Sequence, residues 1–168
     1  MRMLIAGIAV VAVSISCQEN DQVKGDYTGR EAVYPLLQAS VYDIQGTVTL
    51  REKNDGSTGI EVSLSGTEGA IEHPVHLHPG NTTVDGADII ALLTPVIGRN
   101  GTSSTHLVRL ADETPVSYAE LLEREACIKI HLAADGPDRD IVLAAGNIGT
   151  AHGDIISGRK GIAVCKSE

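Results

Sequence analysis

The chain has 168 residues, enough for one ordinary domain, and its formal net charge at pH 7 is −9. This acidic balance and the scarcity of aromatic rings exclude a nucleic-acid binder, because phosphates are bound by clustered Lys and Arg and unpaired bases stack on aromatic side chains. Hydrophobic residues make up 42% of the chain, which permits a packed core and excludes wholesale disorder. Phe and Trp are absent, so that core must consist of Ile, Val, Leu and Ala, which suits closely spaced β-sheets.

The N-terminus carries an export signal. Arg2 precedes an apolar run over residues 3–13, which is shorter than the ~20 apolar residues of a membrane-spanning helix. Small residues then lead to Cys17, after which the chain turns polar. This order resembles a bacterial lipoprotein signal, in which residues 1–16 are removed and Cys17 is lipidated; an ordinary secretory signal with an incidental Cys17 is the alternative. The resemblance implies a lipid-anchored protein of the bacterial cell envelope, and Gln18 after the cysteine resembles lipoproteins sent to the outer membrane.

The cysteine count and the polarity profile suggest how the exported chain is organised. With Cys17 lipidated, Cys127 and Cys165 remain; a disulfide between them in an oxidising compartment and two half-buried thiols are both open. We expect residues 17–39 to form the lipidated cysteine and a polar tether, and residues 40–168 to form the folded domain.

The domain sequence alternates apolar and polar residues with a period of two. Residues 44–51 and 60–65 flank a turn sequence at 53–57, which predicts a β-hairpin with one solvent-facing side. Further short apolar runs follow, most of them separated by Gly, Pro, Asn or Asp, at 73–78, 89–93, 106–110, 127–132, 141–145 and 161–165. About eight such strands predict an all-β, antiparallel sandwich or flattened barrel. Ser117 and Glu120 have capping-box spacing, which predicts one short helix between two strands.

Three histidines are candidate metal ligands. Residues two apart in a strand share a face, so His76 and His78 lie side by side while their apolar neighbours point to the core. His131 alternates with the apolar residues of the run 127–132 and also points outward. If these strands are neighbours, three imidazoles meet on one solvent-facing side of the sheet and suit copper or zinc with one coordination position open. Three hydrogen-bonded or solvated histidines without a metal are the alternative.

The other candidate residues carry weaker signals. His152, in the loop 149–153, could supply a further ligand. His73 and His106 have the parity of core residues and are predicted to be structural. Cys127 has no base nearby in its strand, and the chain has neither a glycine-rich phosphate loop before a helix nor a GxSxG nucleophile motif.

Three segments together resemble a known family. Residues 75–80, VHLHPG, are similar to the HxH-G segment of chordin-type (CHRD) domains and of the related Cu/Zn superoxide dismutase sandwich. Residues 116–122 and 128–131 resemble a short helix that leads into a strand ending in His. Residues 141–149 resemble the closing strand, with Ala145 where these proteins often have Cys. The resemblance spans roughly residues 40–149 and implies a Greek-key fold.

The resemblance also implies a function. It places His76, His78 and His131 on three copper ligands of the dismutases, whereas no His lies between His78 and His106, where that family has its bridging His and zinc site. We therefore expect an envelope-anchored CHRD-like binding module that holds one copper ion and no zinc. The alternative is a copper-only dismutase-like enzyme, although loss of Arg2 with the signal makes the chain one unit more negative and unsuited to steering superoxide. The sequence identifies no protein or small-molecule partner beyond the membrane reached through Cys17.

Overall fold

Eight antiparallel strands form a closed barrel in the computed structural model, which describes residues 25–84 and 87–157. The strands are β1 (Tyr27–Gln38), β2 (Gln45–Lys53), β3 (Thr58–Ser65), β4 (Glu72–Pro79), β5 (Ala91–Ile97), β6 (Thr102–Leu107), β7 (Glu125–His131) and β8 (Val142–Gly149). A short helix α1 spans Tyr118–Glu123, and a 3₁₀ helix η1 spans Thr150–Ser157. The predicted all-β antiparallel fold with one short helix is confirmed.

Two short seams flatten the barrel into two four-stranded sheets. The strand order around it is β1-β2-β3-β6-β5-β4-β7-β8. Strands β5 and β6 share a single ladder pair, Ile97 with Thr102, and β1 and β8 share two, at Leu37 and Gln38. We call β1, β2, β3 and β6 the hairpin sheet, and β5, β4, β7 and β8 the site sheet. The connections from β3 to β4 and from β6 to β7 lead from the hairpin sheet to the site sheet, as in a Greek key.

The space between the sheets is filled by aliphatic side chains, as the lack of Phe and Trp predicts. Buried residues from both sheets include Val48, Leu50, Ile60, Val62, Val75, Leu77, Leu93, Ile128, Ile130 and Ile148. Tyr118 and Leu121 of α1 are also buried, and α1 packs against β2 and β8. Each large aliphatic side chain removed from water in this way contributes roughly 1.5–3 kcal/mol, so this interior is the main source of stability.

The local structure predicted from turn and cap residues is confirmed. Strands β2 and β3 pair without interruption, and Gly56 in the turn between them has φ +82°, a conformation that glycine adopts at no steric cost. At the start of α1, the Ser117 hydroxyl accepts a hydrogen bond from the Glu120 backbone N–H at 3.2 Å. The Glu120 carboxylate in turn accepts from the Ser117 N–H at 2.8 Å, which completes the capping box.

Two sequence-based boundaries are wrong. The tether predicted over residues 17–39 contains β1, in which Ala32, Tyr34 and Leu36 pack against the core and the first half is mostly exposed. Its sequence therefore shows the alternation of a half-buried strand over only a few residues. Most of β1 is instead held by backbone pairing with β2. The strand expected at 106–110 is β6 at Thr102–Leu107, in which Leu107 is the one buried residue and His106 is exposed.

Several predictions fall outside the described residues. These are the signal at 1–16, the lipidation of Cys17, the strand at 161–165 and the Cys127–Cys165 disulfide, of which only Cys127 is described, as a buried residue of β7. In the part of the chain that is described, no helix is long and apolar enough to cross a membrane.

Candidate metal site

The register of β4 and β7 brings the three predicted histidines together. The two strands are antiparallel neighbours, with Val75 opposite Ile130 and His76 opposite Lys129. Because side chains alternate across a strand, His76, His78 and His131 project from the outer face of the site sheet, away from the aliphatic interior. The predicted convergence of these imidazoles is therefore found.

The predicted exposure of this face is wrong. His78 is 0% and His131 2% exposed, and only His76 retains partial contact with solvent. The reason is that the segments after β4 and after β7 fold back over the sheet. The His78 Nδ1 lies 3.1 and 3.0 Å from the carbonyl oxygens of Ala87 and Asp88, and the His131 Nδ1 lies 2.8 Å from that of Arg139.

These backbone contacts determine which nitrogen atoms face the centre of the cluster. A carbonyl oxygen can only accept, so the Nδ1 atoms of His78 and His131 carry the proton and the Nε2 atoms are the ones with a lone pair to donate. The Nδ1 of His76 is buried without a hydrogen-bond partner, and so is the Nε2 of His131. Orphaned buried nitrogens are uncommon because they lose water without compensation, and a metal ion would satisfy both.

The spacing of the rings is close to that of a metal site. One nitrogen from each histidine lies within 4.8 Å of the other two. The ring of His76 is 4.7 Å from that of His131 and 5.9 Å from that of His78, centroid to centroid. Metal–nitrogen bonds of ~2.0–2.1 Å bring two ligands on one ion to roughly 3.4 Å, so a small inward rotation of the rings would complete the coordination.

The electrostatics favour the neutral, ligating form of the imidazoles. Burial, with His131 and His78 nearby, lowers the pKa of His76 from 6.5 to about 4. Burial also lowers the pKa of His78 and of His131, although the carbonyls that accept from their Nδ1 atoms oppose the shift. At neutral pH no proton has to be displaced before a metal binds.

The remaining histidines lie elsewhere. His152, the candidate further ligand, is in η1, where its ring packs edge-on at 5.0 Å from Tyr34. Since η1 follows the end of β8 that pairs with Glu125, it lies at the opposite end of β7 from His131 and outside the cluster. His73 is buried as predicted, whereas His106 is exposed and contacts the Ser57 hydroxyl at 2.6 Å.

Two polar residues near the site were not singled out from the sequence. Lys129, directly opposite His76, is fully buried, and its Nζ lies 3.4 Å from the Val84 carbonyl oxygen. Asn147, on β8, is 3% exposed. Parity alone places Lys129 on the face of His131, but burial of that face depends on the loops. Asn147 could have been singled out from the sequence because it is a polar residue within the apolar run of the closing strand.

Together these features form a three-nitrogen site that could hold a metal ion, with its partly exposed side at His76. Among the described residues, the cluster contains no carboxylate or thiolate, so its donor set is entirely neutral imidazole. Such a set suits copper and zinc and does not suit magnesium or calcium, which prefer oxygen ligands. No protein-family model, no curated protein and no solved structure matches this chain, so the geometry of the three histidines is what indicates a function.

Proposed function

We propose that this chain is a CHRD-like β-barrel module of the bacterial cell envelope that binds one copper ion through His76, His78 and His131. The observation that carries the proposal is the convergence of the three imidazoles, with the His76 Nδ1 and the His131 Nε2 both buried and without a hydrogen-bond partner. The resemblance of residues 75–80 and 128–131 to the copper-binding segments of dismutases supports copper over zinc.

Metal titration of the purified protein tests this proposal. After removal of metals with a chelator, we expect one equivalent of Cu²⁺ to bind, with electron paramagnetic resonance showing coupling to nitrogen ligands. His131→Ala removes one of three ligands, and we expect it to weaken copper binding at least 100-fold. The matched control is His106→Ala, which deletes an exposed imidazole outside the cluster and should leave copper binding unchanged.

Two results would contradict the proposal. One is the absence of stoichiometric copper in the unsubstituted protein. The other is equal copper binding by the unsubstituted protein and by His131→Ala, which would assign the metal to adventitious surface sites. Preferential binding of Zn²⁺ with the same dependence on His131 would keep the site and overturn its assignment to copper.

The proposed anchor is a lipid on Cys17. Strand β1 begins at Tyr27, ten residues further along, and an extended chain of that length spans at most ~36 Å, so the barrel would lie close to the membrane surface. Growth of expressing bacteria with an alkyne-labelled fatty acid tests this. We expect the label in the unsubstituted protein and its loss in Cys17→Ser; a labelled Cys17→Ser variant would contradict the anchor.

A dismutase-like enzyme is the second candidate, and the partial exposure of His76 favours it. Three protein ligands leave a coordination position open, and the site reaches solvent on the His76 side. His76, His78 and His131 would hold the copper, which would supply one-electron redox chemistry for the conversion of two superoxides and two protons to dioxygen and hydrogen peroxide. We expect the copper-loaded protein to consume superoxide faster than copper-treated His131→Ala. Equal rates for the two proteins would exclude the enzyme and leave the binding module.

A further inference from the structure

The orientation of His78 depends on the loop between β4 and β5, of which the structure describes residues 80–84 and 87–90. Residues 80–90 connect β4 to β5, and the carbonyl oxygens of Ala87 and Asp88 within them face the His78 Nδ1. Backbone hydrogen bonds tie down the two ends of the loop, from the Gly80 N–H to the Glu125 carbonyl and from the Ile90 N–H to the Leu77 carbonyl. Within the loop, Asn81 accepts hydrogen bonds from the Thr83 and Val84 N–H groups. The site sheet contacts this part of the loop through the side chains of Lys129, at the Val84 carbonyl, and of Asn147.

Asn147 provides such a contact from the neighbouring strand β8. Its Oδ1 accepts a hydrogen bond from the Thr82 backbone N–H at 2.8 Å, and its Nδ2 donates to the Ala151 carbonyl at 3.1 Å. The side chain therefore joins two backbone segments, the loop on one side and η1 on the other. Because Asn147 lies opposite Cys127 and Cys127 lies opposite His78, all three occupy the same outer face of the sheet.

The burial of Asn147 makes this contact energetically important. The residue is 3% exposed, so water cannot easily replace either of its hydrogen bonds. Removing the amide would leave the N–H of the partly buried Thr82 without its acceptor, which is unfavourable unless water can reach it. The loop can avoid that cost by moving outward to water, and such a movement would carry the Ala87 and Asp88 carbonyls away from His78.

We infer that Asn147 is a positioning residue for the three-histidine site: it fixes the loop at Thr82 so that the Ala87 and Asp88 carbonyls hold His78 with Nδ1 protonated and Nε2 as the ligand atom. The inference rests on the proposed metal-binding function for its effect on affinity. Its effect on the His78 ring does not depend on any metal. Groups that orient metal ligands from outside the coordination shell typically change metal affinity 10- to 100-fold when they are removed.

The experiment compares Asn147→Ala with Ser117→Ala. The second variant removes the cap of α1, away from the loop, and controls for a general loss of stability. In the metal-free protein, nitrogen–proton NMR correlations of the imidazoles report the tautomer of each ring. We expect the Nδ1–H signal of His78 to weaken in Asn147→Ala and to persist in Ser117→Ala. We expect the copper dissociation constant to rise 10- to 100-fold in the first variant alone.

Thr82→Pro tests the same contact from the loop, because proline lacks the N–H that donates to Asn147. Residue 82 lies outside the strands of the barrel. If Asn147 acts through Thr82, the double variant should lose no more affinity than either single variant. Independent, multiplying losses would overturn the inference, as would an unchanged His78 signal with unchanged copper affinity in Asn147→Ala.

The inference can be tested even if one of these proteins fails. If Asn147→Ala does not fold, Thr82→Pro is the test, and an unchanged His78 Nδ1–H signal with unchanged copper affinity in that variant overturns the inference. If the unsubstituted protein binds no copper, the proposed function fails, whereas the His78 signal in the metal-free variants still supports or overturns the role of Asn147.

Discussion

The two sheets of the barrel obey the same alternation of inward and outward side chains, yet their outer faces differ. On the hairpin sheet, outward residues form solvent-exposed ion pairs, such as Arg51 with Glu31 and with Glu61, both at 3.2 Å. On the site sheet, the outward residues His78 and Lys129 are fully buried. The short turn between β2 and β3 leaves its sheet open to water, whereas the long segments after β4 and β7 fold over theirs. Alternation therefore determines which way a side chain points, and the connecting loops determine whether it meets water.

This difference has an energetic consequence. Exposed ion pairs are screened by water and salt and contribute little to stability. Buried polar groups have lost their hydration, so each depends on its specific protein partners and is costly to disturb. Equivalent substitutions on the two outer faces should therefore have very different effects.

The largest expected effect is that of His78→Ala on the metal-free protein. The change empties a fully buried site and leaves the Ala87 and Asp88 carbonyls without their shared donor. We expect a loss of about 2–4 kcal/mol in the free energy of unfolding, measured by urea denaturation. The comparison variant His106→Ala, on the exposed face of the hairpin sheet, should change it far less. Equal effects of the two substitutions would show that the loops do not seal the site sheet.

The next effect is stabilisation by copper. A ligand that binds only the folded state, at a free concentration 100 times its dissociation constant, raises the free energy of unfolding by about 2.7 kcal/mol. We expect a corresponding rise in the melting temperature of the unsubstituted protein and of Arg51→Ala. For His131→Ala, whose copper affinity is expected to fall at least 100-fold, the gain at the same copper concentration should be at most about 0.4 kcal/mol. Stabilisation of His131→Ala equal to that of the unsubstituted protein would place the metal outside the three-histidine cluster.

A smaller effect is expected from pH on the metal-free protein. The pKa of His76 is about 4 in the folded state and 6.5 in the reference state, so between these values the unfolded chain binds a proton that the folded chain does not. The contribution of His76 to the free energy of unfolding is therefore complete above pH 6.5 and is lost as the pH is lowered towards 4. Allowing for solvent screening on the exposed side of His76, this group accounts for about 1–2 kcal/mol.

Unfolding measured between pH 7 and 4 checks this prediction. The pKa values of His78 and His131 are lowered as well and act in the same direction. His76→Gln should reduce the pH dependence and leave the part that comes from His78 and His131. A stability that rises towards pH 4 would contradict neutral, buried imidazoles on the site sheet.

The smallest effect is expected for Arg51→Ala on the hairpin sheet. Its guanidinium hydrogen-bonds to Glu61 and Glu31, and these contacts raise its pKa, but all three groups remain exposed. We expect a small loss of stability that shrinks further in 1 M NaCl, where the Debye length is about 3 Å. A loss as large as that of His78→Ala, insensitive to salt, would remove the distinction between the two faces.

Much of the fold could be predicted from local signals. The β2–β3 turn, the capping box at Ser117 and the alternation in β4 and β7 each reflect interactions between residues close in sequence. The grouping of His76, His78 and His131 followed from parity together with a single long-range assumption, that β4 and β7 are neighbours. Their register confirms that assumption.

The failures at β1 and on the outer face of the site sheet involve contacts between separate segments of the chain. Strand β1 was not predicted because it is held mainly by backbone pairing with β2, and backbone hydrogen bonds leave no hydrophobic pattern. The burial of His78 depends on the backbone carbonyls of Ala87 and Asp88. Every residue has such a carbonyl, so the sequence does not indicate which ones contact the imidazole. Likewise, the sequence does not reveal that η1 places the ring of His152 against Tyr34 and away from the three histidines.

We expect the short seams between the two sheets to be the places where the barrel opens locally to solvent. A seam held by one or two ladder pairs is the place where backbone amides exchange with solvent first, so each four-stranded sheet should behave as a separate cooperative unit in hydrogen exchange. Both strands that carry the three histidines belong to the same unit. A metal ion would therefore slow exchange throughout β4 and β7 while leaving β2 and β3 nearly as they were, and the two halves of one small domain would respond to the same ligand on different timescales.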